Sequence, residues 1–254
     1  MSGPLFRWNE HIPRPVLAEG TDYPASFELA EHCHRRSQFL HAERGVMAVS
    51  TPQGAWVAPP ERAVWIPGGT PHAVRMVGAV RTSSVLVDPQ CCPARGRHCQ
   101  VVGVSPLLRQ LLISATEMPE EYEEAGRDGL VMRLLAAEID RAPLIPLAVP
   151  FPSEGRLAKL CHVFLGQPDI GATIDDWSAE LGMNRRSFTR MFRAQTGMSF
   201  AEWKQQACVA VALPRLAAGE AVTTVALDLG YDGPGNFSTM FKRISGVSPS
   251  QYRP

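Results

Sequence analysis

The sequence predicts an α+β protein, with a β-rich N-terminal half, a helical pair after it and a wholly helical C-terminal end. Three observations carry this. Short runs rich in Val and Trp lie between Tyr23 and about Val87, separated by Gly and Pro clusters. After Ser105-Pro106 the apolar residues recur at helical spacing instead. Four prolines in the twelve residues from Arg141 to Pro152 then divide the chain, because proline fixes φ and bars the preceding residue from the helical region.

Each β element is bounded by turn residues. Gly45–Ser50, Ala55–Val57 and Arg81–Val87 are the clearest runs, and Thr51–Gly54, Ala58–Pro60 and Pro67–Pro71 separate them. Several short strands at such spacing suggest a sandwich or small barrel. Asp88 to Cys99 reads as a loop with three cysteines. Leu107, Leu108, Leu111 and Leu112 mark one helix over 106–115. Leu130, Val131, Leu134, Leu135 and Ile139 mark a second over 129–142.

In the last hundred residues, Arg156 to Leu165 is one helix. Thr173 caps the next, with Asp175 and Asp176 in its first turn, where a carboxylate suits the dipole. Asn184 caps a third, and Ser199 with Glu202 forms a capping box on a long fourth, where Pro214 predicts a late kink. Val222 to Gly230 is a fifth, and Asp232 or Gly233 starts a sixth.

The chain has 254 residues, 45% hydrophobic and 20% charged, which suits a globular protein of one or two domains. Its formal net charge is zero, which excludes a uniformly basic nucleic-acid coat and an acidic disordered chain. The balance is uneven, however. Residues 1–154 carry 14 Lys and Arg against 17 Asp and Glu, and residues 155–254 carry 11 against 8. Six scattered cysteines form no disulfide framework, and no apolar run approaches the ~18 residues that span a bilayer. Met1 to Glu10 lacks the apolar stretch of a secretory leader. A soluble, cytoplasmic protein with no membrane partner is expected.

Two C-terminal stretches share one plan. Ile174, Trp177 and Leu181 lead to Gly182-Met183-Asn184 and a basic helix with Arg185, Arg186, Phe188, Thr189, Arg190, Phe192 and Arg193. Val222, Val225, Ala226 and Leu229 lead to Gly230-Tyr231-Asp232 and a helix with Phe237, Met240, Phe241, Lys242 and Arg243. Helix, glycine turn, helix is the helix-turn-helix plan, although a helical bundle has the same plan. The wording of both stretches, through Ile244-Ser245-Gly246-Val247-Ser248-Pro249-Ser250-Gln251-Tyr252-Arg253, resembles the two signatures of the AraC family of transcription regulators. The resemblance covers about residues 155–254. It implies two helix-turn-helix units joined by the long fourth helix, each reading one major groove of double-stranded DNA. RNA polymerase becomes a candidate further partner.

Arg185, Arg186, Thr189 and Asn236 are candidate base contacts, and Asn184 is a further DNA-binding candidate. Arg190, Arg193, Lys242 and Arg243 are expected at phosphates or on the surface. Cys208 stands where the family usually has Arg, and Gly233-Pro234-Gly235-Asn236 replaces its small polar run, so the first unit is expected to dominate base readout.

His32, His34, Gln38 and His72 are the other informative set. On a strand His32 and His34 share a face, and His72 follows the turn Pro67-Gly68-Gly69-Thr70-Pro71. Their spacing resembles the two cupin motifs, with Gln38 where many cupins have Glu, Glu61 where Gly is usual and Met76 where Asn is usual. A cupin-like barrel is implied. Three imidazoles and an amide carbonyl converging in a barrel would make a site for a divalent transition metal, whether Zn, Ni, Fe, Mn or Cu. The same residues without metal would be a hydrogen-bonding pocket. Trp56, Trp65 and Arg75 (or Arg81) are candidate effector contacts at the barrel mouth. His41 is read as a surface residue before an outer hydrogen-bond partner of the set, and Cys91, Cys92 and Cys99 as ordinary loop cysteines.

The expected organisation is a cupin-like sensing domain over 1–100, a helical hairpin over 101–142 suited to pairing in a homodimer or to packing on its own barrel, a Pro-rich linker over 143–154, and the DNA-binding domain over 155–254. The expected function is a DNA-binding regulator, not an enzyme, whose operator affinity responds to a small molecule or a metal. A metal-dependent cupin enzyme with a helical oligomerisation tail, and a regulator whose effector is the metal itself, are the alternatives.

Overall fold

The computed structural model describes residues 11–59, 61–145, 147–153 and 155–252. Met1 to Glu10, read above for a leader, and Arg253, the end of the second signature, lie outside them. The N-terminal half is antiparallel sheet. Its strands are β1 (Val16–Tyr23), β2 (Glu28–His32), β3 (Ser37–Thr51), β4 (Gly54–Ala58), β5 (Arg62–Ile66), β6 (His72–Val87) and β7 (Gln100–Gly103). The main order is β1-β6-β3-β5-β7, with β2 on β6 and β4 on β3. The long strands β3 and β6 pair along most of their length, and their register shifts between Ala42 and Val46. Each strand thereby serves two halves of the sheet: β6 takes β1 at one end and β2 at the other.

Period-2 alternation sorts the strand residues onto two faces. Leu40, Ala42, Met47, Val49, Trp56, Val64, Ile66, Val74 and Met76 fill one core. Phe39, Ala63, Trp65, Val85 and Val102 face a second core, against the hairpin. That hairpin is α1 (Pro106–Thr116), capped by the Ser105 hydroxyl, and α2 (Arg127–Arg141). Leu108, Leu112, Leu135 and Ile139 are buried beneath it, while Leu107, Leu130 and Leu134 remain exposed. The loop expected over 88–99 contains two turns of 3-10 helix, Pro89–Cys91 and Pro93–Arg95.

The Pro-rich segment is more than a tether. It forms β8 (Leu144–Ile145), paired with β7, and β9 (Ala148–Pro150), paired with β4. Extended backbone is what proline favours, and two open sheet edges supplied partners for it.

The helical half contains α3 (Gly155–Gly166), α4 (Ile174–Glu180), α5 (Arg185–Thr196), α6 (Phe200–Ala217), α7 (Val222–Asp228) and α8 (Pro234–Ser245). Thr173 with Asp176 and Ser199 with Glu202 make full capping boxes, and the Asn184 side chain caps α5. Each cap is worth about 1 kcal/mol. Pro214 lies inside α6, which continues past it to Ala217. The first helix-turn-helix unit packs Trp177, Phe188, Phe192, Phe200 and Trp203 together, with Val149 and Phe151 from the strand segment. The second unit packs Val225, Ala226, Phe237 and Phe241 on the far half of α6, in a core continuous with that of the sheet.

Candidate functional site

The two helix-turn-helix units present their second helices outward. On α5 the apolar side, Phe188 and Phe192, is fully buried, which leaves Arg185, Arg186, Thr189, Arg190 and Arg193 exposed on the opposite side. On α8, Phe237 and Phe241 are buried, and Asn236, Thr239, Lys242 and Arg243 are exposed. Between them α6 spans 18 residues, about 27 Å at 1.5 Å per residue. Successive major grooves on one face of DNA lie ~34 Å apart, a separation that α6 and the helix widths on either side of it can bridge.

Not every candidate side chain is available to a base. The Asn184 carbonyl oxygen accepts the Ser187 N–H at 2.9 Å, so this side chain is engaged as a helix cap. The Thr189 hydroxyl donates to the Arg185 carbonyl at 2.9 Å, within its own helix. Arg185 is held by the Asp175 carboxylate at 2.6 Å, with both side chains well exposed. Arg243 donates to Gln205 Oε1 at 2.7 Å across to α6. Asp175 and Gln205 were not found from sequence. Asp175 carried a signal only for the helix dipole, and Gln205 reaches Arg243 over 38 residues.

Inside the sheet, the histidine rings converge. His32 lies opposite His72 in the β2–β6 register, and their ring centroids are 4.3 Å apart. His34 comes from the turn after β2, with its centroid 5.0 Å from that of His72. That turn is clasped by the one before β6. The Gly69 N–H donates to the His34 carbonyl at 2.7 Å, and a Cβ at Gly68 would lie 2.1 Å from the Arg35 carbonyl oxygen. Backbone approaches that closely only where no side chain stands between.

The donor set fits a divalent transition metal. One ligand atom from each histidine lies within 4.8 Å of the others. In all three rings Nδ1 contacts a backbone carbonyl: Ala30 at 2.8 Å, Arg36 at 2.6 Å and Thr70 at 2.8 Å. A ring that donates from Nδ1 keeps its lone pair on Nε2, and such outer contacts orient metal-binding histidines. His72 Nε2 is buried with no hydrogen-bond partner among the described residues. Gln38 Oε1 lies 3.1 Å from His34 Nε2, and Gln38 Nε2 donates to the Ser84 hydroxyl at 2.7 Å. Burial pushes His72 down to about 4, with His32 and His34 adding to the effect, so this imidazole is neutral at pH 7. Ser84 left no local signal in the sequence, since it reaches Gln38 over 46 residues.

The proposed effector residues separate. Trp56 and Arg75 line a cavity of about 480 Å³ whose opposite wall is Ala210, Val211, Pro214 and Arg215 of α6. Trp65, expected at the barrel mouth, belongs to the other face and is buried between sheet and hairpin. Alternation along β5 does not tell which of its faces is turned to the hairpin, and the register that sets Trp65 opposite Phe39 is a long-range one. Arg81 is bound to Asp22 and Glu43. His41, read as a surface residue, is fully buried, with Nδ1 3.1 Å from the Arg62 carbonyl and Nε2 without a partner among the described residues. Cys92 is buried and donates to the Ala136 carbonyl. Burial pushes its thiol, and that of Cys99, up to about 12, so neither is a thiolate at pH 7.

Residues 177–254 match the domain family described as "Helix-turn-helix domain". The transcriptional regulator NimR of Escherichia coli is 28% identical over 221 residues, covering 87% of this chain and 81% of its own length. The regulator RipA of Corynebacterium glutamicum is 29% identical over 136 residues, covering 52% of this chain and 39% of its own length. The arabinose operon regulatory protein of Escherichia coli is 24% identical over 144 residues, or 56% and 48%. Among solved structures, ToxT from Vibrio cholerae O395 aligns over 94% of this chain and 96% of its own, with a TM-score of 0.40 and 11% identity. No helix among the described residues is long and apolar enough to cross a membrane. The sequence signatures and the paired helix-turn-helix units agree with the sequence relatives: the chain carries a helix-turn-helix domain and is similar over most of its length to a transcriptional regulator.

Proposed function

We propose that the β domain is an effector-sensing domain, and that a small molecule bound against it changes operator affinity through α6. The observation that carries this reading is the cavity shared by Trp56 and Arg75 of the sheet and Ala210, Val211 and Pro214 of α6. Its volume, about 480 Å³, suits a small organic ligand. A molecule seated there touches the helix that joins both DNA-reading units. It can therefore bind one arrangement of the two halves more tightly than another, which is the only way a ligand shifts such an equilibrium. The apolar walls and the Arg75 guanidinium favour an apolar molecule with an acid group.

DNA contact is assigned to Arg185, Arg186, Arg190 and Arg193 of the first unit and to Asn236, Lys242 and Arg243 of the second. The exposed Leu107, Leu130 and Leu134 of the hairpin favour a homodimer. Affinity for DNA selected from a random pool should fall steeply with salt. Arg185→Ala with Arg186→Ala should lower it at least ~10-fold with circular dichroism unchanged. An unchanged affinity would remove α5 from the interface.

The converging rings of His32, His34 and His72, with Gln38 beside them, favour a second reading in which the cupin-like core holds a divalent metal that is itself the signal. Elemental analysis of untagged protein, beside the His32→Ala, His34→Ala, His72→Ala variant, tests it. A stoichiometric metal lost in the variant, and an operator affinity that follows zinc, would support it. No metal in either protein would end it.

A further inference from the structure

The two helix-turn-helix units have separate cores, and α6 passes from one to the other near Ala207 and Cys208. A second connection runs beside it. The loop between α3 and α4, residues 167–172, belongs in sequence to the first unit but reaches the turn of the second. The Ile170 N–H donates to the Leu229 carbonyl at 2.9 Å. Ile170 packs against the core that contains the second unit, whereas Ala172, two residues on, packs against the core of the first. Asp169 folds over Gly171, accepting its N–H at 2.8 Å, and lies against Gly230. Gly230 has a φ of +78°, a conformation that favours glycine, and a Cβ there would lie 2.2 Å from Asp169 Oδ1, so that side chain would have to shift.

One side chain fastens this loop to the connecting helix. Lys204, on the first turns of α6, donates from Nζ to the Ile170 carbonyl at 2.6 Å and to the Ala172 carbonyl at 2.5 Å. Its ammonium lies 5.2 Å from the centre of the Phe200 ring. The residues flanking it divide between the two roles of the helix: Trp203 fills the first core, and Gln205 holds Arg243 of α8. Lys204 therefore grips the two ends of a three-residue stretch whose ends rest on different units.

We propose that Lys204 is a specificity-determining positioning residue, which through the loop 169–172 fixes the setting of α8 relative to α5 and so the spacing between the two DNA segments the protein accepts. One inserted base pair moves the second segment by about 3.4 Å and turns it by about 34°. A pair of units held rigidly rejects that change, and a pair joined by α6 alone tolerates it better. The inference rests on both units touching DNA, which Asn236→Ala with Arg243→Ala tests separately: an unchanged affinity there would mean that only the first unit binds.

The test uses the full chain, DNA selected by the wild type, and the same DNA with one base pair inserted or removed between the two protected segments. Fluorescence anisotropy should show the wild type discriminating by ~10-fold or more, as one lost set of base contacts costs. Lys204→Met should reduce that ratio to about threefold or less, with affinity for the isolated first segment unchanged. Lys204→Arg, which keeps donors on the same stem, should restore it. Wild-type discrimination by Lys204→Met would overturn the proposal. So would an equal loss on the isolated segment and the whole site. If Lys204→Met and Lys204→Gln both lose the fold by circular dichroism, the residue serves stability alone and the proposal is likewise overturned.

Discussion

His41 offers a pH dependence whose size follows from its surroundings. It is fully buried, with the Arg62 carbonyl taking its Nδ1–H and no partner at Nε2 among the described residues. Burial is the main cause of its lowered pKa, with Arg109 adding to it, and the result is about 4 in place of 6.5. Above pH 6.5 the ring is neutral in both folded and unfolded chains and contributes no slope. Below 6.5 the unfolded chain binds a proton that the folded one refuses, so stability falls as pH falls and levels off near pH 4. The slope is 1.36 kcal/mol per pH unit, which gives about 2 kcal/mol by pH 5 and about 3 kcal/mol by pH 4. His41→Gln keeps an N–H donor for the Arg62 carbonyl and does not titrate. Urea unfolding followed by circular dichroism at pH 7.5 and pH 5, on wild type and variant, isolates the His41 contribution as the difference of differences. The wild type should lose about 2 kcal/mol more than the variant. Parallel losses, within about 0.5 kcal/mol, would refute a buried neutral His41.

Asp175→Asn should release Arg185 toward DNA. Because the pair is exposed and worth ~1 kcal/mol or less, affinity should rise no more than about fivefold, with a salt slope steeper by up to about one, read by anisotropy titrations. Gly68→Ala should displace the turn that carries His34, at a cost of about 1–3 kcal/mol in thermal unfolding. It should also weaken any zinc-induced rise in Tm, which calorimetry with and without zinc would show.

Much of the helical half was legible because its determinants are local. Thr173, Asn184 and Ser199 announce their helices through side chains that reach only three residues along, and the structure has each in place. The two α5–α8 stripes follow from a period of 3.6 residues. The histidine set was legible only in part: the turn before His72 is as expected, but β2 ends at His32, and His34 comes from the turn after it and not from a shared strand face. What was not legible depends on contacts between distant segments. Trp65 and Trp56 obey the same alternation, but only the position of the hairpin decides that one faces it and the other faces α6. The Pro-rich segment offered no sign that β4 and β7 had open edges beside it. Lys204 carries no local sign of its role, since its partners, the carbonyls of Ile170 and Ala172, lie more than thirty residues away.

The strand β9 also bears on where this protein can be cut. Val149 and Phe151 are buried in the core of the first helix-turn-helix unit, and Trp203 Nε1 donates to the Pro150 carbonyl at 2.8 Å. A DNA-binding fragment begun at residue 155 would thus lack two apolar side chains of its own core and leave a buried indole N–H unsatisfied. It would also bare the side of α6 formed by Ala210, Val211 and Pro214. Such a fragment should aggregate, and a chimaera joined at residue 155 should inherit the defect. A junction placed before Leu147 carries the missing strand with the helices, and a graft of this reading head onto another sensor is best made there.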